Sequence, residues 1–265
     1  MKLETLLSNT FFYRNYFLRK LLLKIYHFFV FLPFFKRKGP KIFINTLPKS
    51  GTHLLTAILG EIPGILNTRY NIDMWSIDNI NSKHSSHSKW LPDSKEFSKK
   101  IKKIKGYQFM TGHLPFHNNL FNEIIESDIK MIYLTRDSSA VLKSNYKYIT
   151  TLKRHYAHKT LMNDFKTKND RLNALKTGFT TQKGYVVESL NTTVNGFNEW
   201  QAVHRSNILI LSFEELIGSS RGYSDEKRLN SIKKILSFLD IKYDLDLIKK
   251  IDLDSKKIKS FTLRS

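Results

Sequence analysis

A chain of 265 residues is long enough to bury the core of one α/β domain. Its 44 Lys+Arg against 23 Asp+Glu leave a formal net charge of +21, which calls for an anionic partner: nucleic acid, an anionic membrane or a polyanionic small molecule. The absence of cysteine excludes disulfides, zinc–thiolate sites and thiol catalysis, and fits a cytoplasmic protein better than a secreted one.

Residues 1–40 read as a basic aromatic segment apart from the rest. Between positions 11 and 35, aromatics and leucines alternate with Arg14, Arg19, Lys20 and Lys24. The uncharged run 25–35 is shorter than the roughly 20 apolar residues of a spanning helix, and no small-residue cleavage site follows it. An amphipathic helix over 11–35, lying peripherally on an anionic membrane, is the expectation. Packing against the domain and a short signal anchor are the other readings. Residues 36–40 form a linker into a domain spanning 41–265.

That domain opens with KIFINTLPKSGTHLLTAIL, residues 41–59. Ile42, Phe43 and Ile44 read as a buried parallel strand, which Pro48 stops because it has no N–H and fixes its own φ. Leu54, Leu55, Ile58 and Leu59 then recur at helical spacing. Lys49, Ser50, Gly51, Thr52 and His53 sit between strand and helix. Unpaired N–H groups at a helix start, a close-approach glycine, two hydroxyls and a lysine make an anion site. As an ATP loop of the form GxxxxGK[ST] the match is poor, since the lysine precedes the glycine and the first glycine is missing.

Residues 65–106 have weak periodicity and read as helices and loops over that site, with the lysine run 99–105 on a solvated helix face. His84 and His87 lack an evident third metal ligand and read as loop histidines. A second strand at 107–110 leads to Gly112-His113-Leu114-Pro115. A histidine just past the carboxyl end of a parallel strand stands where open α/β sheets place ligands, although alone it would read as a turn residue. Residues 130–135 form a third strand, ended by Arg136 and Asp137, before a helix over 138–148 capped by Asp137 or Ser138. Arg136 alone would read as a surface ion pair.

Residues 150–184 are basic and aperiodic and read as a mobile cover. Residues 185–205 read as one helix and 208–212 as a fourth buried strand, ended by Phe213-Glu214-Glu215-Leu216. Ser224 caps a helix whose core face carries Leu229, Ile232, Ile235, Leu236 and Leu239. Asp240 falls where a glycine or asparagine usually closes a helix.

PKSGT, GHLP and RDSSAVLKS, an Arg-x₇-Ser, occur in this order. Together they resemble the motifs of the sulfotransferases that use 3′-phosphoadenosine 5′-phosphosulfate (PAPS). The resemblance spans about 41–265 and implies a parallel β-sheet flanked by helices on both faces, an α/β fold like that of P-loop NTPases. It implies transfer of a sulfonyl group from PAPS, as co-substrate, to an acceptor hydroxyl or amine, without a metal. Residues 49–53 would hold the phosphosulfate, Arg136 and Ser144 the 3′-phosphate. Lys49 and His113 would be catalytic, the histidine as base. Arg264 matches an arginine of the family's late F-x-x-R-K-G segment, after which the sequence stops, so the expectation is a domain truncated at its C-terminal 3′-phosphate segment. Leu54 stands where the family has an adenine-stacking tryptophan, and Thr111 where it often has a lysine. A glycan or lipid acceptor suits the N-terminal segment, and nucleic acid is not expected. Two rivals remain: a nucleotide kinase or NTPase using Asp137 for magnesium, and a basic membrane-associated binding module with an inactive site.

Overall fold

The computed structural model describes residues 38–77 and 90–257, and of the N-terminal segment only positions 18, 21, 22, 25 and 28. The expected membrane-interface helix, the pair His84 and His87, and Arg264 therefore lie outside the described residues. Among the described residues no helix is long and apolar enough to cross a membrane.

Strand β1, Lys41–Thr46, is buried from Ile42 onward, as a run without polar alternation requires. It is the middle of a five-stranded sheet with neighbours β3 (Gln108–His113) and β4 (Ile129–Thr135), and with β2 (Leu66–Asp73) and β7 (Ile208–Ser212) at the edges. All four pairings are parallel. Successive side chains leave opposite faces, so Phe43, Met131 and Tyr133 enter one apolar cluster, while Ile42, Ile44, Ile132 and Leu134 enter another. Helices α1 (Thr52–Gly60), α9 (Asp225–Phe238) and α10 (Leu245–Lys256) cover the second face with Leu55, Ile58, Ile232, Ile235 and Ile248. The first face is covered by α2 (Ser94–Ile101), α3 (Asn118–Glu126) and α7 (Leu190–Asn198) through Phe97, Leu120 and Phe197. The expected architecture, a parallel sheet between helical layers, is the one observed.

Four corrections follow from local chemistry. The stretch read as helices and loops contains β2, whose polar sequence LNTRYNID hides the strand. It is an edge with a register shift between Asn67 and Asn71, and only Thr68 and Ile72 turn fully inward. Second, His113 is the last residue of β3, not a residue beyond it. Third, the aperiodic stretch after α4 (Ser138–Thr151) is built, not bare cover: α5 (His158–Asp164), α6 (Lys168–Thr177) and a small hairpin of β5 (Phe179–Thr180) and β6 (Val186–Val187) pack Leu161, Leu175 and Val187 against Ile149. Thr167 and Asp170 close a reciprocal capping box at the start of α6. Fourth, the single helix expected over 185–205 begins only at Leu190, because Ser189 caps it, and tightens into a 3₁₀ turn at Glu199–Ala202.

The run 99–105 is a helix face only at its start: Lys99 and Lys100 face Glu96 along α2 while Phe97 and Ile101 are buried, and Lys102, Lys103 and Lys105 lie past the end of the helix. Asp240 closes α9 in the left-handed conformation, φ 56°, with Ile241 N–H donating to the Leu236 carbonyl.

Candidate active site

The carboxyl ends of β1, β3 and β4 and the start of α1 surround a cavity of about 1100 Å³. The loop between β1 and α1 carries two left-handed residues, Lys49 (φ 70°) and Gly51 (φ 99°). For a lysine that conformation costs of order 1 kcal/mol, and the surrounding contacts hold it. The Lys49 carbonyl accepts from Arg136 Nη1 at 2.9 Å, and its Nζ sits 3.6 Å from the centre of the Tyr148 ring. Gly51 is required twice over, for its positive φ and because a Cβ there would lie 2.4 Å from Phe213 Cδ2. No side chain caps α1, so its first N–H groups are left for a ligand at the positive end of the helix dipole.

Lys49, Gly51, Thr52, His53, His113, Arg136 and Ser144 all line this one cavity. Ser50 does not. It is fully buried, and its hydroxyl donates to the carbonyls of Leu47 (2.6 Å) and Leu134 (3.0 Å), so it ties the loop to β4 and is no hydroxyl donor to a ligand.

Burial and the neighbouring Arg136 guanidinium lower the Lys49 pKa to about 8. Burial also pushes His113 and His53 below the ordinary histidine value. His113 is therefore neutral near neutral pH and able to take a proton. Its position is fixed from both sides. Asn45, fully buried, exchanges two 2.9 Å hydrogen bonds with the backbone of Leu114, and Trp200 Nε1 donates to the Leu114 carbonyl at 3.0 Å. Residue 112 must be glycine here, because a Cβ would lie 2.7 Å from the Phe43 ring.

Arg136 lies flat on Phe213, 4.0 Å from guanidinium carbon to ring centre. Its Nε is buried with no hydrogen-bond partner among the described residues, an orphan donor in a residue of the cavity wall. Lys143, Lys147 and Arg221 line the same wall beside Ser144, and among the described residues no carboxylate does. Sequence reasoning missed these three cations and Phe213. Lys143 and Lys147 were within reach of it, being at i−1 and i+3 from Ser144, whereas Arg221 and Phe213 arrive from elements distant in sequence. Asp137, the carboxylate a magnesium site would need, instead caps α4: it accepts from Ala140 N–H at 2.8 Å and Ser139 Oγ at 2.6 Å.

The site thus offers an uncapped helix start with a lysine, a cationic wall with an unpartnered guanidinium Nε, and a neutral imidazole in the same cavity. Residues 39–262 match the sequence model of the sulfotransferase domain. Among solved structures, the fold is similar to that of a mouse sulfotransferase complexed with PAP (3′-phosphoadenosine 5′-phosphate), at 21% identity and a TM-score of 0.52, covering 87% of this chain and 68% of that one. Retinol dehydratase, in complex with androsterone and inactive cofactor PAP, aligns over 84% of this chain and 66% of its own, at 14% identity and a TM-score of 0.46. No curated protein matches the chain in sequence.

Proposed function

Because this chain belongs to the sulfotransferase domain family, we propose that its cavity binds PAPS and that it passes the sulfonyl group to a hydroxyl or amine of an acceptor. The observation that carries the reading is one cavity lined by the Lys49 loop, the Arg136–Ser144 cationic wall and the neutral His113. Lys49 and the free N–H groups of α1 would face the phosphosulfate. Arg136, with its orphan Nε, Ser144 and the neighbouring cations would take the 3′-phosphate, and the residues present fit that group.

In the transfer, the acceptor oxygen or nitrogen attacks sulfur in line as the bond from sulfur to the bridging phosphate oxygen breaks. Charge that develops on that oxygen is met by Lys49 and the helix start. The acceptor proton goes to His113. Much of the rate comes from holding donor and acceptor in line. The kinase reading loses its carboxylate to helix capping, and nothing in the cavity favours it.

Lys49 provides the test. Its replacement by Ala is expected to lower turnover by about 10²-fold or more, the scale of one lost oxyanion donor. A pH dependence accompanies it. Lys49 is cationic below its lowered pKa of about 8, and a bound anion raises that value. Binding therefore takes up a proton as pH rises past 8, and PAP affinity falls. Calorimetric titrations at pH about 7 and about 9 should show the fall in the native chain and little of it in Lys49→Ala. Equal affinities at both pH values in the native chain would remove Lys49 from the anion site.

A further inference from the structure

His113 Nδ1 meets two oxygens of a single residue. Thr46 presents its backbone carbonyl at 2.9 Å and its hydroxyl at 2.9 Å. A carbonyl can only accept, so that contact is a hydrogen bond only when Nδ1 carries the proton. The lone pair then resides on Nε2. The Thr46 hydroxyl, facing a donor, accepts from it and turns its own proton to Thr52 Oγ1, 2.7 Å away. Thr52 lines the cavity at the head of α1, and its proton is left pointing onward. Thr46 is fully buried at the end of the central strand, so its rotamer is held by packing.

We propose that Thr46 is a positioning residue for the transfer, fixing His113 as the Nδ1–H tautomer so that Nε2 is the atom that accepts the proton, and directing the Thr52 hydroxyl into the anion loop. The proposal rests on the sulfotransferase reading of the site for its meaning, though not for its geometry. When Nε2 takes a proton, the two Thr46 oxygens solvate the Nδ1–H side of the imidazolium. The charged or titratable groups that bear on His113 are Lys49 from the loop and His53 from α1, which disfavour its cation, and Asp73 from β2, which favours it. None of the three sets the tautomer, because none contacts Nδ1 as Thr46 does.

Long-range proton–nitrogen NMR on ¹⁵N-histidine-labelled full-length chain reads tautomers directly. The His113 signals are assigned among the nine histidines by their loss in His113→Gln. The native chain is expected to show a protonated Nδ1 and a bare Nε2 at neutral pH. Thr46→Val removes the hydroxyl at nearly constant volume. The backbone carbonyl remains in this variant, so the Nδ1–H tautomer should persist, while the His113 titration should shift to lower pH, since one acceptor that stabilises the cation is gone. Thr46→Ser should restore the native titration, which a role in packing alone would not. An Nε2–H tautomer in the native chain, or a Thr46→Val titration like the native one, overturns the proposal. A PAP titration of the native chain run in parallel separates the two readings. Absent PAP binding with the expected tautomer would count against the sulfotransferase site and leave the Thr46 geometry standing.

Discussion

Replacement of His113 by Ala should lower sulfonyl transfer by about 10²–10⁴-fold, the range over which a positioned general base acts. The imidazole is neutral, sits at the end of β3 in the cavity that Lys49 enters, and holds its Nδ1 against Thr46. Its loss removes a proton acceptor and the Nδ1 contacts with Thr46, while Asn45 and Trp200 still fix the adjoining Leu114. PAP affinity and thermal stability should therefore stay near native. The measurement is release of PAP from PAPS in the presence of hydroxyl-bearing acceptors, with binding and melting followed on the same preparations. Undiminished turnover in the variant would pass the base role to another group, and collapse of the fold would make His113 a structural residue.

The second large effect concerns stability. Arg228 on α9 is 1% exposed, and its guanidinium is shared among Asp252 (2.5 Å), the Leu216 carbonyl and Ser255 Oγ (2.6 Å). One side chain thus ties together α8 (Phe213–Ile217), α9 and α10, and holds Ser255 on the cavity wall. Arg228→Ala leaves Asp252 Oδ1 and the Leu216 carbonyl without their guanidinium donor inside the core, while Lys256 still pairs Asp252 Oδ2 at 2.9 Å. Breaking one partner of a buried pair costs about 3–5 kcal/mol. In a domain of this size that lowers the melting temperature by roughly 6–20 °C. The double variant Arg228→Met, Asp252→Leu should recover part of the loss, because it removes the carboxylate left without the guanidinium as well. Urea unfolding of the native chain and the two variants checks this. A double variant less stable than Arg228→Ala would mean that the pair contributes more than the avoidance of a poorly compensated charge.

What the sequence disclosed was the chemistry carried within single connections. Lys49 and Gly51 lie between β1 and α1, which Thr52 opens, and Arg136 follows β4 with Ser144 two turns on in α4, so their spacing survives folding unchanged. The four apolar strands were legible for the same reason. β2 was not, because an edge strand with polar residues on most positions and a left-handed Arg69 (φ 59°) presents no period-two pattern. The helices at His158–Asp164 and Lys168–Thr177 bury few side chains and so carry weak periodicity, yet the Thr167-x-x-Asp170 signature was there to be read.

Contacts between distant connections were beyond the sequence. The hydroxyl of Ser50 looks like a ligand donor beside Lys49, and only the proximity of the Leu134 carbonyl, 84 residues away, shows where it points. The pairing of Thr46 with His113 spans 67 residues and depends on the parallel register of β1 and β3. Phe213 reads as the end of a strand, whereas the Ser212–Glu215 capping box turns it into the first residue of a helix and sets its ring under Arg136.

The claim on which everything else rests is that the cavity recognises a nucleotide by both of its phosphates. Calorimetric titration of the full chain with PAP, 5′-AMP and ATP tests it without knowledge of the acceptor. PAP should bind at least about tenfold more tightly than 5′-AMP, about 1.4 kcal/mol, and more tightly than ATP. That margin should vanish in Arg136→Ala, which lacks the guanidinium proposed to meet the 3′-phosphate. Equal affinity for PAP and 5′-AMP in the native chain, or a preference for ATP, would contradict the assignment of this cavity to PAPS.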